Sequence, residues 1–181
     1  MLLVHGAGGA VGTAAVQIGL LAGARVFGVA RSVEARERVQ AQGAEALAEE
    51  DFAVRVQELT TGAGVDVIVE LVGAPHFPAN VDALATLGRI VVVGVGAGAR
   101  IELSLLRLMQ KRATLRGTTL RARSVIEKAA AVAAFERDVV PALAAGRLRV
   151  DIDSVYPAWE AGEALEHVAA KGKLGKVLLS F

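Results

Sequence analysis

The apolar positions of this chain fall in short continuous runs, not in strict alternation. Residues 2–4, 25–30, 65–72 and 89–95 are rich in Val, Ile and Leu and are bounded by glycine or charge. Runs of this kind are strands buried on both faces, the habit of parallel sheets. Helical stretches lie between them. Residues 13–21 have almost no polar face, 34–42 are charged and end at Gly43, and 51 or 52 to 59 are broken by Thr60–Gly64. Residues 80–86 and 103–111 complete the set, with 73–78 read as a loop, 44–48 as a weak third strand and 113–118 as a sixth. Strands alternating with helices imply right-handed crossovers and a sheet covered on both faces. The expected fold class is therefore α/β, a doubly wound parallel sheet of six strands in the order 3-2-1-4-5-6. It is assigned to residues 1–122. Residues 123–181 are expected to form a C-terminal helical and strand extension: a long alanine-rich helix over 124–145, interrupted by Pro141 near its end, an extended segment over 150–156, a helix over 157–169 and a last strand over 176–181. Tyr156 and Trp159 are expected to pack this tail.

The first strand runs straight into the first helix through Gly6, Ala7, Gly8, Gly9, Ala10, Val11 and Gly12. Such a turn points unpaired backbone N–H groups and the positive end of a helix dipole at one spot. Without side chains there, a diphosphate can approach the backbone closely. Gly8, Gly9, Ala10, Val11 and Gly12 are thus the candidate pyrophosphate cradle. The spacing is irregular: Gly6-x-Gly8 is followed by Gly12 one residue late, while Ala7-x-Gly9-x-x-Gly12 fits with alanine first. The plainer alternative is a tight turn whose small residues allow close helix–strand packing. A P-loop is excluded, because Gly12 is followed by Thr13 and not by lysine. In the doubly wound order the ligand lies at the carboxyl ends of strands one and four. The glycine turns at Gly73 and Gly94–Gly98 fall on that same edge.

The tip of strand two selects the nucleotide, since an acid there holds a ribose 2′-hydroxyl and repels a 2′-phosphate. Here the strand ends Val29-Ala30-Arg31-Ser32, and Glu34 lies further on, inside the helix. Arg31 can fork onto a phosphate, Ser32 can donate a hydroxyl or cap the helix, and Arg36 can bring a second charge. The expectation is NADP over NAD; the alternative is that Ser32 is only a cap and both arginines are solvated. One charge-assisted phosphate contact is worth about 1.5–3 kcal/mol.

Composition narrows the remaining classes. The chain has 181 residues, 54% hydrophobic and 22% charged, with a net charge of +1, so a full core is expected and no nucleic-acid surface. It has no cysteine, which removes disulfides, thiolate metal ligands and a cysteine nucleophile. The histidines His5, His76 and His167 do not share metal spacing, and no metal site is expected. His5 is read as structural, His76 as a site candidate near the ligand edge, and His167 as an exposed helix residue. Glu70 can contact a ribose or the loop backbone. No catalytic proton donor is assigned. No apolar run reaches membrane-span length, and a cytoplasmic protein is expected.

The segments HGAGGAVGTAAVQIGLLAGARVFGVARS, VDVIVELVG, LATLGRIVVVGVGAG and RATLRGTTLRARS, with the ending GKLGKVLL, resemble the Rossmann coenzyme domain of medium-chain dehydrogenases/reductases. Within that superfamily they most resemble the zinc-free NADPH:quinone oxidoreductases. The resemblance implies NADPH held by the Gly8–Gly12 turn, its 2′-phosphate near Arg31 and Ser32, and its nicotinamide near Val72, Gly73 and Gly94–Gly96. It implies hydride transfer to a small-molecule substrate, a quinone or another activated alkene or carbonyl. An enoyl-reductase module of a fatty-acid or polyketide synthase, or a non-catalytic NADPH-binding module, is the alternative. It also implies a homodimer through the edge strand from Ala113 to Thr118. The resemblance implies an N-terminal GroES-like substrate domain that is not expected among these 181 residues, and the segment from Val150 onward is the part that returns to it. Ala10 and Gly8 depart from the family's usual residues in the turn, and Ala35 stands where it often has lysine.

Overall fold

The computed structural model describes residues 1–170 and 175–181. Six strands, β1 (Leu2–Val4), β2 (Val26–Val29), β3 (Glu45–Leu47), β4 (Val65–Glu70), β5 (Leu84–Val92) and β6 (Thr114–Gly117), form one sheet in the order β3-β2-β1-β4-β5-β6. Every neighbouring pair is parallel. The expected doubly wound sheet is present, and its winding reverses between β1 and β4. The helices between the strands are α1 (Ala10–Leu21), α2 (Val33–Ala41), α3 (Phe52–Leu59), α4 (Phe77–Ala83) and α5 (Leu105–Lys111).

The core divides along the faces of β1, because successive residues of a strand point to opposite sides. Leu3 joins Phe27, Phe52, Val56, Ile68, Phe77 and Ile90 on the α3–α4 face. Val4 joins Ala7, Val16, Val26 and Val39 on the α1–α2 face. Helix α1 lies so close to the sheet that a Cβ at Gly19 would sit 2.5 Å from the Leu2 side chain.

Both expected ends of α4 move. Helix α4 begins at Phe77, inside the segment read as a loop, with a 3-10 turn over Ala74–His76 before it. Pro78 caused the misreading: proline fits the first turn of a helix, whose N–H groups have no intrahelical partner. The same helix ends at Ala83, so Ala85 and Thr86, expected to be helical, belong to β5. There Leu84 pairs with Val65 but Arg89 with Val67, and Leu87 takes φ +64 in the excursion between. The helix over 124–145 is interrupted near Pro141, as expected: it forms α6 (Val125–Asp138) and α7 (Val140–Ala144) with the break at Val139, since Pro141 cannot continue the ladder.

The extension then forms β7 (Ile152–Pro157), α8 (Ala161–Ala169) and β8 (Lys176–Ser180), with β7 and β8 paired in parallel as a separate two-stranded sheet. Gln17 ties it to α1, donating to the Arg149 carbonyl at 3.0 Å and accepting the Arg149 N–H at 2.8 Å. Trp159, expected to pack the tail, is 84% exposed. His167, expected to be exposed, is half-buried and 2.6 Å from the Asp153 carboxylate. Of the family-like ending, Gly172, Lys173 and Leu174 lie outside the described residues. Among the described residues no helix is long and apolar enough to cross a membrane.

Candidate functional site

The parallel sheet brings the carboxyl ends of β1, β2, β4 and β5 to one edge, and the candidate residues gather there. The glycine turn is pinned to the strands on both sides of β1. The His5 N–H donates to the Val69 carbonyl at 3.0 Å, and the Ala7 N–H to the Val29 carbonyl at 3.0 Å. Gly6 takes φ +58, and the Gly9 N–H closes the turn on the Gly6 carbonyl at 2.9 Å. Gly9 is the N-cap of α1. No side chain caps this helix, and no acid lies in its first turn. Helix α1 starts three residues earlier than expected, so Ala10, Val11 and Gly12 supply its first-turn N–H groups.

The two readings of the turn separate by residue. A Cβ at Gly12 would lie 2.1 Å from the Gly6 carbonyl oxygen and 2.7 Å from the Ala7 Cα, so Gly12 is required for packing. Gly9, Ala10 and Val11 are exposed and leave the helix start open.

At the tip of β2, Ser32 caps α2 by accepting the Ala35 N–H at 3.2 Å. Arg36 folds back onto the strand end, donating to the Ala30 carbonyl at 3.1 Å and the Arg31 carbonyl at 2.6 Å. Arg31 is exposed. Glu34 is nearer this tip than its place in the helix suggested. Its own backbone N–H, the Ser32 hydroxyl and the Arg36 charge hold its carboxyl below the usual range.

The opposite lip is built around a buried carboxylate. Glu70, the last residue of β4, is fully buried. Its Oε1 accepts the Val72 N–H at 2.7 Å and the Gly73 N–H at 2.9 Å, and its Oε2 accepts Asn80 Nδ2–H at 2.6 Å. Asn80 Oδ1 in turn lies 2.6 Å from His5 Nε2. Gly73 takes φ +111, and a Cβ there would meet the Gly98 carbonyl oxygen at 2.4 Å. The Ala97 N–H donates to the Val72 carbonyl and the Ala74 N–H to the Gly98 carbonyl, each at 2.9 Å. Val72 and Gly73 are thus zipped to the loop that carries Gly94, Val95 and Gly96.

His5 is fully buried and stacks on His76 with ring centroids 4.3 Å apart. Burial pushes its pKa down to about 4; Glu70 opposes this, His76 adds to it and the Asn80 bond opposes it. His76 is also buried, with Nδ1 4.0 Å from Glu70 and Nε2 3.9 Å from Glu49. Sequence reasoning placed His76 near the ligand edge; its ring points into the protein. Asn80 was missed, and nothing in its local sequence marks it.

His5, Glu70 and His76 bring three ligand-type atoms within 4.8 Å of one another. This donor set does not fit a metal ion. Both Glu70 oxygens already accept N–H groups, and Asn80 occupies His5 Nε2. The imidazole planes are only 28° apart and stacked, so their in-plane lone pairs run side by side and do not converge. An open groove of about 640 Å³ lies elsewhere, between the later turns of α1, α2 and the Gly146–Ile152 segment.

The family model described as "Zinc-binding dehydrogenase" matches residues 10–135. The rat quinone oxidoreductase is 31% identical over 98% of this chain and 54% of its own length. A subunit of the phenolphthiocerol/phthiocerol polyketide synthase of Mycobacterium tuberculosis is 30% identical over 99% of this chain and 8% of its own length. A mycobacterial protein solved in complex with NADPH superposes with a TM-score of 0.82 at 28% identity, over 99% of this chain and 56% of that one. The chain spans about half the length of the quinone oxidoreductases it matches. Its sheet order, its glycine turn and the matched span agree, and the chain belongs to the zinc-binding dehydrogenase family of the medium-chain dehydrogenase/reductase superfamily.

Proposed function

We propose that this chain is the NADPH-binding half of an oxidoreductase that passes hydride to a quinone or another activated alkene or carbonyl. The observation that carries the reading is the uncapped start of α1 above the glycine turn, one strand away from an exposed arginine. The bare amides of Ala10, Val11 and Gly12 suit a diphosphate, which takes the place of a missing side-chain cap. Gly9 suits close approach, since it is exposed and without a side chain leaves the helix start open. Arg31 and Ser32, with Arg36 folded beside them, form the 2′-phosphate end. Val72, Gly73, Gly94, Val95 and Gly96 line the nicotinamide end. The dihydronicotinamide, when bound, supplies the hydride. The chain's own part is to bind and orient, and it contributes no assigned proton donor. The family's name includes zinc; this chain has no cysteine among its 181 residues, and its buried His–Glu group does not fit the ion.

The reading extends to a homodimer through β6. All four residues of that strand are exposed, and among the described residues it pairs only with β5. A second reading, an enoyl-reductase module of a multidomain synthase, is favoured by the polyketide synthase relative. A non-catalytic NADPH-binding module would share the same cleft.

Fluorescence titration with NADPH and NADH tests the core of the proposal. NADPH is expected to bind about tenfold to a hundredfold more tightly, the worth of one charge-assisted phosphate contact. Arg31→Ala should remove most of that preference. Equal affinities in the wild-type chain would end the NADPH reading. NADPH oxidation with 1,4-benzoquinone, against the same assay with an enoyl thioester, separates the two enzymatic readings.

A further inference from the structure

We propose that Asn80 is a positioning residue for the nicotinamide-side loops, acting through the Glu70 carboxylate. The inference rests on the dinucleotide reading above. It starts from the cost of burying a carboxylate, which is tolerated only when hydrogen bonds satisfy it. Glu70 spends one oxygen on two consecutive backbone N–H groups, those of Val72 and Gly73. That bond pattern fixes the path of the chain as it leaves β4. Because Val72 and Ala74 are themselves bonded to Ala97 and Gly98, the same carboxylate also fixes the loop after β5.

The second oxygen takes its hydrogen bond from Asn80 at 2.6 Å, with His5 Nε2 3.7 Å and His76 Nδ1 4.0 Å away. The orientation of that amide is not free. Its N–H₂ must face the carboxylate, so its carbonyl faces His5 and requires a proton on His5 Nε2. His5 is also the residue that opens the glycine turn, with its N–H on the Val69 carbonyl. One side-chain line, His5–Asn80–Glu70, therefore ties the turn to the loops across the cleft. A fully buried asparagine inside α4 sets where the backbone groups of both loops stand.

The polarity of this line can be reversed by substitution. Asn80→Asp sets a second carboxylate against Glu70 and replaces the N–H donor that faced it with an acceptor. Adding Glu70→Gln restores every bond: Gln accepts the two backbone N–H groups through its carbonyl and donates its amide to the Asp, which still accepts from His5. The readout is binding to the full chain of NADPH, and of 2′,5′-ADP, which carries the adenosine and its phosphates but no nicotinamide. N80D is expected to weaken NADPH by about tenfold or more, as for a lost hydrogen bond to a charged group, with 2′,5′-ADP within about twofold. The E70Q/N80D double variant should return NADPH to within about threefold of wild type, less than half of one such bond.

Equal losses for the two ligands in N80D, no loss for either, or a double variant no better than the single would each overturn the positioning role. Wild-type chain that binds neither ligand overturns the dinucleotide reading, and this role with it. Should N80D fail to fold, Asn80→Ser and the double variant are compared by amide hydrogen exchange at Val72 and Gly73. Faster exchange in N80S, recovered in the double variant, is expected; unchanged exchange overturns the proposal.

Discussion

The two lips of the cleft are held by opposite means. The lip after β1 is held by missing side chains: Gly12 lets α1 press against the Gly6 carbonyl, and Gly9, without a side chain, opens the helix start. The lip after β4 is held by side chains that are present and buried, Glu70 and Asn80, with His5 reaching across to them. The first device is backbone packing and does not depend on charge. The second is a polar line in a dry interior, strong when every bond is made and costly when one is lost. The contrast predicts that the first lip fails by steric insult and the second by a change of charge or protonation.

The largest effect is expected where packing leaves no room. Gly12→Ala places a Cβ 2.1 Å from the Gly6 carbonyl oxygen and 2.7 Å from the Ala7 Cα, both backbone atoms that cannot rotate away. Helix α1 must lift from the turn, and a cost of about 3 kcal/mol or more is expected, at the upper end for overpacked sites. Urea denaturation of the variant measures it. A loss under about 1 kcal/mol, the range of tolerated volume-conserving swaps, would mean that the turn is not set by this contact.

The second lip should respond to pH. His5 has a folded pKa near 4, lowered chiefly by burial, against an ordinary value of 6.5. The unfolded chain therefore binds a proton between pH 6.5 and 4 that the folded chain refuses. Its contribution to stability is complete above pH 6.5 and is lost as pH falls toward 4, by up to about 3 kcal/mol in all. His5→Gln keeps a donor for Asn80 Oδ1 but does not titrate. The stability difference between wild type and this variant, from urea midpoints at pH 7.5 and 4.5, should shift against the wild type at the lower pH. A difference that stays constant with pH would remove His5 as the titrating group.

These two devices were unequally legible in the sequence. The turn could be read because its four glycines, Gly6, Gly8, Gly9 and Gly12, fall within seven residues between a strand run and a helix run, so local spacing carried the whole signal. Its fine division could not: only the contact distances separate Gly12, which packs, from Gly9, which lies open. The sheet order followed from the alternation of runs, while the start of α4 was hidden by Pro78, which looks like a break and is a first-turn residue. The polar line was mostly illegible. Glu70 could be placed at the end of a strand, with ribose and loop backbone as its two options, and in the structure it holds the loop backbone. Asn80 resembles any helix residue, and its partner His5 lies 75 positions away. Only the β1–β4 pairing, which sets His5 beside the end of β4, brings the two together.

The smallest effect on stability, and the sharpest on the comparison, is expected from Gly9→Ala. Gly9 already has φ −84 and ψ 168, which any residue adopts, so no backbone strain follows. A Cβ there meets the Gly6 carbonyl oxygen at 3.3 Å, a contact that a shift of a few tenths of an ångström relieves. Stability should fall by about 1 kcal/mol or less, the range of small surface substitutions and of replacing glycine at a helix N-cap by alanine. The added methyl nevertheless stands at the open helix start, where the diphosphate must meet bare amides. NADPH and 2′,5′-ADP should therefore weaken together, unlike the ligand-selective loss expected across the cleft. If Gly9→Ala weakens NADPH but spares 2′,5′-ADP, the two lips are not independent devices, and the turn acts on the nicotinamide end through the same buried line.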